Sequence, residues 1–235
     1  MYQKTVDKDF VRRNSMWLLE RNRPFVVHND VDGLQCAMLL SNKLGWNLVG
    51  FYDLKCVWFD SSYKGALFDP IYIDLDVTHP QAQSAGHHII VQHGERHLNP
   101  NILYNKSIHN FETKYPLGEI FFLLWLYDEK LPSSKDSWYW LLHADSSWKS
   151  FYGKVTEKSD RLSKIIKENV DDWLRNKLGF PSIADFLRQH TYEDIEREIV
   201  RKVLRYKFGR SDQFNFGISN WDVEKRKVIN LLNDL

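Results

Sequence analysis

The first half of the chain alternates apolar runs with polar breaks, and this pattern predicts a series of short strands and helices. Apolar runs at residues 24–28, 47–52, 70–73 and 88–92 each end in polar side chains, as short buried strands do. Residues 34–44 repeat apolar positions at helical spacing, which makes residues 24–44 a strand–loop–helix unit. Strands with helical connections form parallel sheets, whose binding sites lie beyond the carboxyl ends of the strands.

The second half of the chain has a helical pattern. The apolar run at residues 117–127 predicts a buried helix, and residues 137–142 predict another. A stretch rich in Ser and Lys at residues 146–163 is a candidate boundary, and residues 192–208 again repeat apolar positions at helical spacing. The sequence therefore predicts an α/β fold. A mainly parallel sheet flanked by helices occupies residues 1–150, and a smaller helical region occupies residues 151–235.

Composition and charge narrow the classes of protein. Among 235 residues the hydrophobic fraction is 43%, and nine residues are Trp, as expected for a globular core. The 32 Lys and Arg residues against 31 Asp and Glu give a net charge of +1, which favours a short anionic ligand over long nucleic acid. The sequence has no apolar run of about 18 residues for a membrane span. The two cysteines, Cys36 and Cys56, suit a reducing compartment, so we expect a soluble cytoplasmic protein.

Candidate metal ligands follow the first predicted strand. Residues 28–33 read His-Asn-Asp-Val-Asp-Gly, so His28, Asp30 and Asp32 alternate and share one face of an extended segment. Carboxylates suit Mn²⁺ and Mg²⁺, and an imidazole shifts the preference toward Mn²⁺. Taken alone, the motif is equally typical of a turn with a helix cap. A second acidic strand end at Asp74 favours metal, because a carboxylate buried there without a counter-charge destabilises the fold.

In order and spacing, these segments resemble the motifs of the DHH family of phosphoesterases. Residues 28–33 resemble the first motif and residues 72–74 the second. Residues 89–94, with the Asn-Pro-rich 97–101, are similar to the third motif, and residues 141–146 to the fourth. The resemblance covers about residues 25–146 and implies a DHH phosphoesterase-like core that holds two divalent metal ions.

The resemblance also implies which side chains would hold the two ions. Mn²⁺ is the expected metal, and Mg²⁺ is the other candidate. Asp74 is preferred over Asp76 as the bridging ligand because it directly follows the apolar run. The implied ligands are His28, Asp30 and Asp74 for one ion, and Asp32, Asp74, His93 and Asp145 for the other.

The chain departs from the family at the signature that names it. Residues 92–94 read Gln-His-Gly where the resemblance expects Asp-His-His, so the acidic partner and the second, substrate-facing histidine are missing. His97 is the preferred candidate substitute for that second histidine, and His109 is the less favoured one. The catalytic residues implied are Asp30, Asp32, Asp74, His93 and His97.

Two classes of function follow from these motifs. The first is a metal-dependent phosphodiesterase or nuclease that hydrolyses a short or single-stranded oligonucleotide, or a signalling nucleotide, with water activated by two metals. The second is a catalytically degenerate member that binds nucleic acid or protein as a scaffold, with the C-terminal helices as a possible protein-binding region. A pyrophosphatase is less favoured, because residues 151–235 supply no obvious cationic clamp for its substrate.

Overall fold

The computed structural model describes residues 6–91, 94–152 and 160–202. Within these residues, six strands form one sheet in the order β3-β2-β1-β4-β5-β6. The strands are β1 (Pro24–His28), β2 (Asn47–Tyr52), β3 (Val57–Phe59), β4 (Ile71–Ile73), β5 (Gln83–Ala85) and β6 (His97–Leu98).

All strand pairs in this sheet are parallel except the edge pair of β2 and β3. The prediction of a mainly parallel sheet is therefore confirmed. The chain passes from β1 to β2 on one side and later continues at β4 on the other side of β1. The boundary between β1 and β4 is thus the point where the winding direction reverses, which is where open α/β sheets form their binding crevices.

The strands are joined and followed by helices. They are α1 (Lys8–Asn14), α2 (Val31–Leu44), α3 (Pro100–Leu103), α4 (Glu119–Leu126), α5 (Lys135–His143), α6 (Ser147–Tyr152), α7 (Asp160–Asp172), α8 (Pro181–Gln189) and α9 (Tyr192–Lys202). A short 3₁₀ turn at Ala144–Ser146 separates α5 from α6. No helix in the described part of the chain has the length and apolar character needed to cross a bilayer.

The two faces of the sheet are covered differently. Phe25 and Val27 of β1 point into the main core, which they share with the helices. Val26 points the other way, into a smaller cluster with Val49 and Tyr72, against which partly buried side chains of residues 57–77 pack. Alternate residues of β1 are therefore buried on both faces, which explains why the strand reads as a continuous apolar run.

Most predicted elements match the structure, and one does not. The runs at 24–28 and 47–52 form β1 and β2, and the predicted helices lie within or overlap α2, α4 and α5. The predicted strand at 88–92 is wrong, because residues 88–91 have no regular structure and Gln92 lies outside the described residues. The structure instead has strand β5 a few residues earlier. Its residues Gln83 and Ser84 are polar, so the sequence shows no apolar run there. Ser84 is buried and forms hydrogen bonds with the backbone of Val77 and with His97.

The C-terminal region is helical over residues 160–202, as predicted. Phe151, Trp173 and Ile183 are fully buried in the same core cluster as Phe25 of β1. Helix α9 packs on α5, and α7 packs on α6. The predicted boundary near residue 150 stays a prediction, and the predicted helix at 203–208 lies outside the described residues.

Candidate metal centre

The two carboxylates of the motif after β1 each accept hydrogen bonds from the first backbone N–H groups of a helix. Asp30 Oδ1 accepts the N–H of Gly33 at 2.9 Å and so caps α2, while His28 Nδ1 lies 2.5 Å from Asp30 Oδ2. Gly33 is required here, because a Cβ at this position would lie 2.2 Å from the carbonyl oxygen of His28. The turn-and-cap interpretation of this motif is therefore correct as local structure.

Asp32 caps a different helix and is fully buried. Its Oδ2 accepts the N–H of Glu119 at 2.5 Å and its Oδ1 accepts the N–H of Ile120 at 2.9 Å, at the amino end of α4. Gly118 permits this approach, because a Cβ there would lie 2.7 Å from Asp32 Oδ2. The positive end of the α4 dipole thus partly compensates a carboxylate placed in the protein interior.

Asp74 lies between these two groups. It follows β4 with a left-handed backbone, φ 58°, which directs its side chain into the cluster. Its Oδ2 lies 4.0 Å from His28 Nδ1, and its Oδ1 lies 3.4 Å from His87 Nδ1. Both oxygens are buried and make no hydrogen bond. Asp74, the predicted bridging ligand, thus lies among the other predicted ligands, and its role as a bridge stays a prediction.

His87 is a member of the cluster that the sequence interpretation missed. It follows β5, and its Nδ1 lies 3.9 Å from Asp32 Oδ2 as well as close to Asp74. Its Nε2 contacts Asp145, which the 3₁₀ turn between α5 and α6 presents with φ 47°. The predicted strand at 88–92 would begin at His88, whereas both histidines follow β5 (Gln83–Ala85). The feature of the sequence that could have identified His87 as a candidate ligand is the pair of adjacent histidines.

The Asn-Pro-Asn segment at residues 99–101 holds this histidine pair in place. Asn99 Nδ2 donates to the carbonyl of His88 at 2.9 Å, and Asn101 Nδ2 donates to the carbonyl of His87 at 2.6 Å. Asn99 also caps α3 through the N–H of Asn101. These asparagine side chains therefore position the loop after β5.

Asp76 forms a separate group beside the cluster. Its carboxylate lies 2.9 Å from His88 Nδ1 and 2.9 Å from His97 Nε2, and it accepts from Asn99 Nδ2 at 2.8 Å. It occupies the space beside Gly86, where a Cβ would lie 2.7 Å from the Asp76 side chain. Asp76 thus orients the exposed ring of His88.

His97 is not a member of the cluster. The His97 side chain is completely buried between Asp76 and Ser84, so the structure does not bring it to the surface where a substrate would bind. His93 lies outside the described residues. The structure brings together the other five predicted ligands, namely His28, Asp30, Asp32, Asp74 and Asp145.

Glu119 is the second residue that the sequence interpretation missed. It is completely buried at the start of α4, and its Oε2 lies 3.8 Å from His87 Nδ1. Neither of its carboxylate oxygens makes a hydrogen bond. In the sequence it lies near the start of the apolar run 117–127, and nothing in the local pattern distinguishes it from a residue of the first helical turn. Only the approach of α4 to the sheet edge places it beside His87.

Crowded buried carboxylates shift the proton affinities of the whole group. Burial, reinforced by neighbouring carboxylates, raises the pKa of Asp32 to about 7 and raises the pKa values of Asp74 and Glu119 well above their usual range. Although burial opposes it, the charge of Asp145 and the other carboxylates raises the pKa of His87 to about 10. The carboxyl groups therefore cannot all be ionised together without strong repulsion, and a bound cation would allow them to ionise.

The donors fit two divalent cations that share Asp74. His28, Asp30 and Asp74 offer ligand atoms within 4.8 Å of one another, and so do Asp32, Asp74 and His87. A third group of His87, His88 and Asp145 meets the same limit. The unbonded buried oxygens of Asp74, together with the unbonded Nε2 of His28, are the atoms that a cation would satisfy. Carboxylate oxygens with imidazole nitrogens suit Mn²⁺ and related ions.

Comparison of the chain with protein-family models, with curated proteins and with solved structures finds no match. Any functional assignment therefore rests on the geometry of this cluster and on the sequence motifs.

Proposed function

We propose that this protein is a divalent-metal-dependent phosphoesterase of the DHH type. The observation that carries the proposal is Asp74, a buried carboxylate with two unbonded oxygens, placed between one group containing His28 and another containing His87. A carboxylate in that position bridges two cations in two-metal hydrolases. Its location at the reversal point of the sheet supports the same conclusion.

Two sets of side chains, which share Asp74, would bind the two ions. His28, Asp30 and Asp74 would hold one ion, and Asp32, Asp74, His87 and Asp145 would hold the other. Two such ions supply an activated water and positive charge for a phosphate. His88 has a side chain that is 56% exposed and is held through Nδ1 by Asp76. In its imidazolium form, it would donate from Nε2 to a phosphate oxygen.

The histidine pair also bears on the resemblance to the DHH family. Gly86, His87 and His88 follow β5, and in this alignment both histidines of the family signature are retained while the acidic residue is replaced by glycine. The carboxylate of Asp76 occupies the space beside Gly86. This alternative to residues 92–94 supports an active enzyme, because the substrate-facing histidine and a carboxylate partner are then both present.

The substrate class that we propose is a nucleotide-containing phosphodiester, either a short or single-stranded oligonucleotide or a signalling nucleotide. The net charge of +1 favours a short ligand. Mn²⁺ is the proposed metal, with Mg²⁺ as the alternative.

A scaffold without turnover is the second candidate. It is favoured by one observation: Asp30 and Asp32 already cap α2 and α4, and His87 already pairs with Asp145, so the cluster has structural roles independent of hydrolysis. The two candidates differ in whether phosphate esters are turned over when metal is bound.

Hydrolysis of bis-p-nitrophenyl phosphate and of labelled short oligonucleotides, with Mn²⁺ supplied, tests the proposal. We expect Asp74→Asn to lower kcat/KM at least about 100-fold, since it removes the shared metal ligand. Asparagine tolerates the left-handed backbone of Asp74, so the change is chemical rather than conformational.

The matched control for this substitution is Asp128→Asn. Asp128 also has a left-handed backbone, φ 56°, and its partners are Lys8 and Arg12 rather than the cluster. This variant should retain the activity of the unaltered protein. Full activity in Asp74→Asn would show that the wrong site was chosen, and Mn²⁺ binding without turnover in the unaltered protein would favour the scaffold.

A further inference from the structure

The cluster of carboxylates and histidines borders an apolar cleft on the face of the sheet opposite the main core. The cleft has a volume of about 560 Å³, within the range of roughly 300–1,000 Å³ typical of small-molecule sites. His28, Asp74 and His88 line one part of it, and the remaining lining comes from residues 52–57 at the turn between β2 and β3, from residues 67–78 and from Ile90. A ligand in this cleft would thus touch the candidate metal ligands directly.

Aromatic and aliphatic side chains form the walls of the cleft. The rings of Tyr52, Phe68 and Tyr72 contribute to it. Leu54 and Leu67 also line it, although they are 55% and 49% exposed to solvent. Large apolar side chains left exposed around a concave site are typical of a surface that binds an apolar group.

The charge of the lining limits which ligands can enter. Among the described residues that line the cleft, none is Lys or Arg, and the acidic side chains are Asp74 and Asp76. A second phosphate or a carboxylate on the ligand would meet these walls without a counter-charge, at a free-energy cost. An uncharged flat ring would instead contact the aromatic walls by stacking and by apolar burial.

We infer that the cleft binds the organic group of a phosphate ester that carries one phosphate and one uncharged aromatic group. The inference rests on the proposed function, because the phosphate is placed at the end formed by His28, Asp74 and His88. It deepens that function, since it selects a compact ester with an aromatic group over a chain of several phosphates.

Binding of phosphonates to the full chain loaded with Mn²⁺ tests this inference without turnover, because phosphonates lack the ester bond. Isothermal titration calorimetry should give a Kd for phenylphosphonate at least roughly tenfold lower than for methylphosphonate, as burial of a ring predicts. A 4-carboxyphenylphosphonate, which adds a charge to the ring, should bind more weakly than phenylphosphonate.

The double variant Leu54→Asn/Leu67→Asn addresses the walls of the cleft. Leu54 has φ 72°, a conformation that asparagine adopts more readily than leucine, so this change is not expected to impair folding. The variant should lose most of the preference for phenylphosphonate and keep its affinity for methylphosphonate. Ile108→Asn, at a residue that is 66% exposed and outside the cleft, is the matched control and should keep the preference.

The outcomes separate this inference from the proposed function. Equal, Mn²⁺-dependent affinities for phenylphosphonate and methylphosphonate would overturn the assignment of the cleft and leave the metal-dependent phosphoesterase intact. A preference that survives in Leu54→Asn/Leu67→Asn would overturn it as well. Absence of Mn²⁺-dependent binding for both phosphonates would overturn both proposals.

Discussion

At the residue scale, Asp74 combines burial with a lack of hydrogen bonds. Burial and the nearby carboxylates raise its pKa well above the usual range, so the folded protein holds a proton there more tightly than the unfolded chain does. At neutral pH the metal-free fold must therefore either bind a proton at Asp74 or bury its charge, and both lower stability relative to an ordinary carboxyl group. A carboxyl group that is buried although it lowers the free energy of unfolding is typical of a functional site.

This reasoning predicts opposite effects of Asp74→Asn with and without metal. In the metal-free protein, the substitution should raise the free energy of unfolding at pH 7 by at least about 1 kcal/mol, because it removes a carboxyl group whose raised pKa destabilises the fold at that pH. Mn²⁺ at 100 times its Kd should stabilise the unaltered protein by about 2.7 kcal/mol for each bound ion and the variant far less. Thermal unfolding after chelation, and again after Mn²⁺ is added, measures both effects. An equal Mn²⁺-induced rise of Tm in the two proteins would contradict the assignment of Asp74 as a ligand.

At the element scale, the cluster is assembled from the ends of several elements. The carboxyl ends of β1, β4 and β5 bring Asp30, Asp74 and His87 to one edge of the sheet, and the amino end of α4 presents its N–H groups to Asp32. The position of α4 therefore matters for the site. Helix α1 packs against α4, and Arg12 Nε donates to the carbonyl of Leu126 at 3.0 Å.

The contact between α1 and the end of α4 should depend on pH through Asp128. Hydrogen bonds from Lys8 and Arg12 lower the pKa of Asp128 from 3.8 to about 2. A lowered pKa means that the carboxylate stabilises the fold above about pH 4 and that this contribution disappears as the pH falls toward 2. Because the side chain is 59% exposed, Asp128→Asn should cost less than about 1 kcal/mol at pH 7.

Urea unfolding of the unaltered protein and of Asp128→Asn, at pH 7 and near pH 3, checks this prediction. The difference in the free energy of unfolding should shrink at the lower pH, and it should also shrink in high salt, which screens exposed charges. A difference that is the same at both pH values would mean that the ion pairs with Lys8 and Arg12 are not its source.

At the scale of the whole molecule, one main core spans both halves of the chain. Ile183 of α8 is fully buried in the same cluster as Phe25 of β1 and Leu123 of α4. A shared core favours unfolding as one cooperative unit, whereas the predicted division near residue 150 favours two.

Ile183→Ala distinguishes these possibilities. It should cost about 2–5 kcal/mol, as truncation of a fully buried aliphatic side chain does. Circular dichroism and Trp fluorescence should report one coincident transition, shifted as a whole. Val200→Ala, at a residue that is 51% exposed on α9, is the control and should change stability by less than about 0.5 kcal/mol. Two separate transitions, with only one shifted, would support the division near residue 150.

Local patterns were sufficient to predict β1, β2 and α2, because hydrophobic periodicity and the capping aspartate act over a few residues. They also indicated a buried carboxylate at Asp74, because an acidic residue directly after an apolar run is visible in the sequence. Only the tertiary structure showed that His87 lies beside Asp74. His87 enters the cluster through β5, a strand whose polar sequence is stabilised by contacts with neighbouring segments. The contribution of Glu119 likewise depends on how α4 packs against the sheet edge, a long-range arrangement that no local pattern encodes.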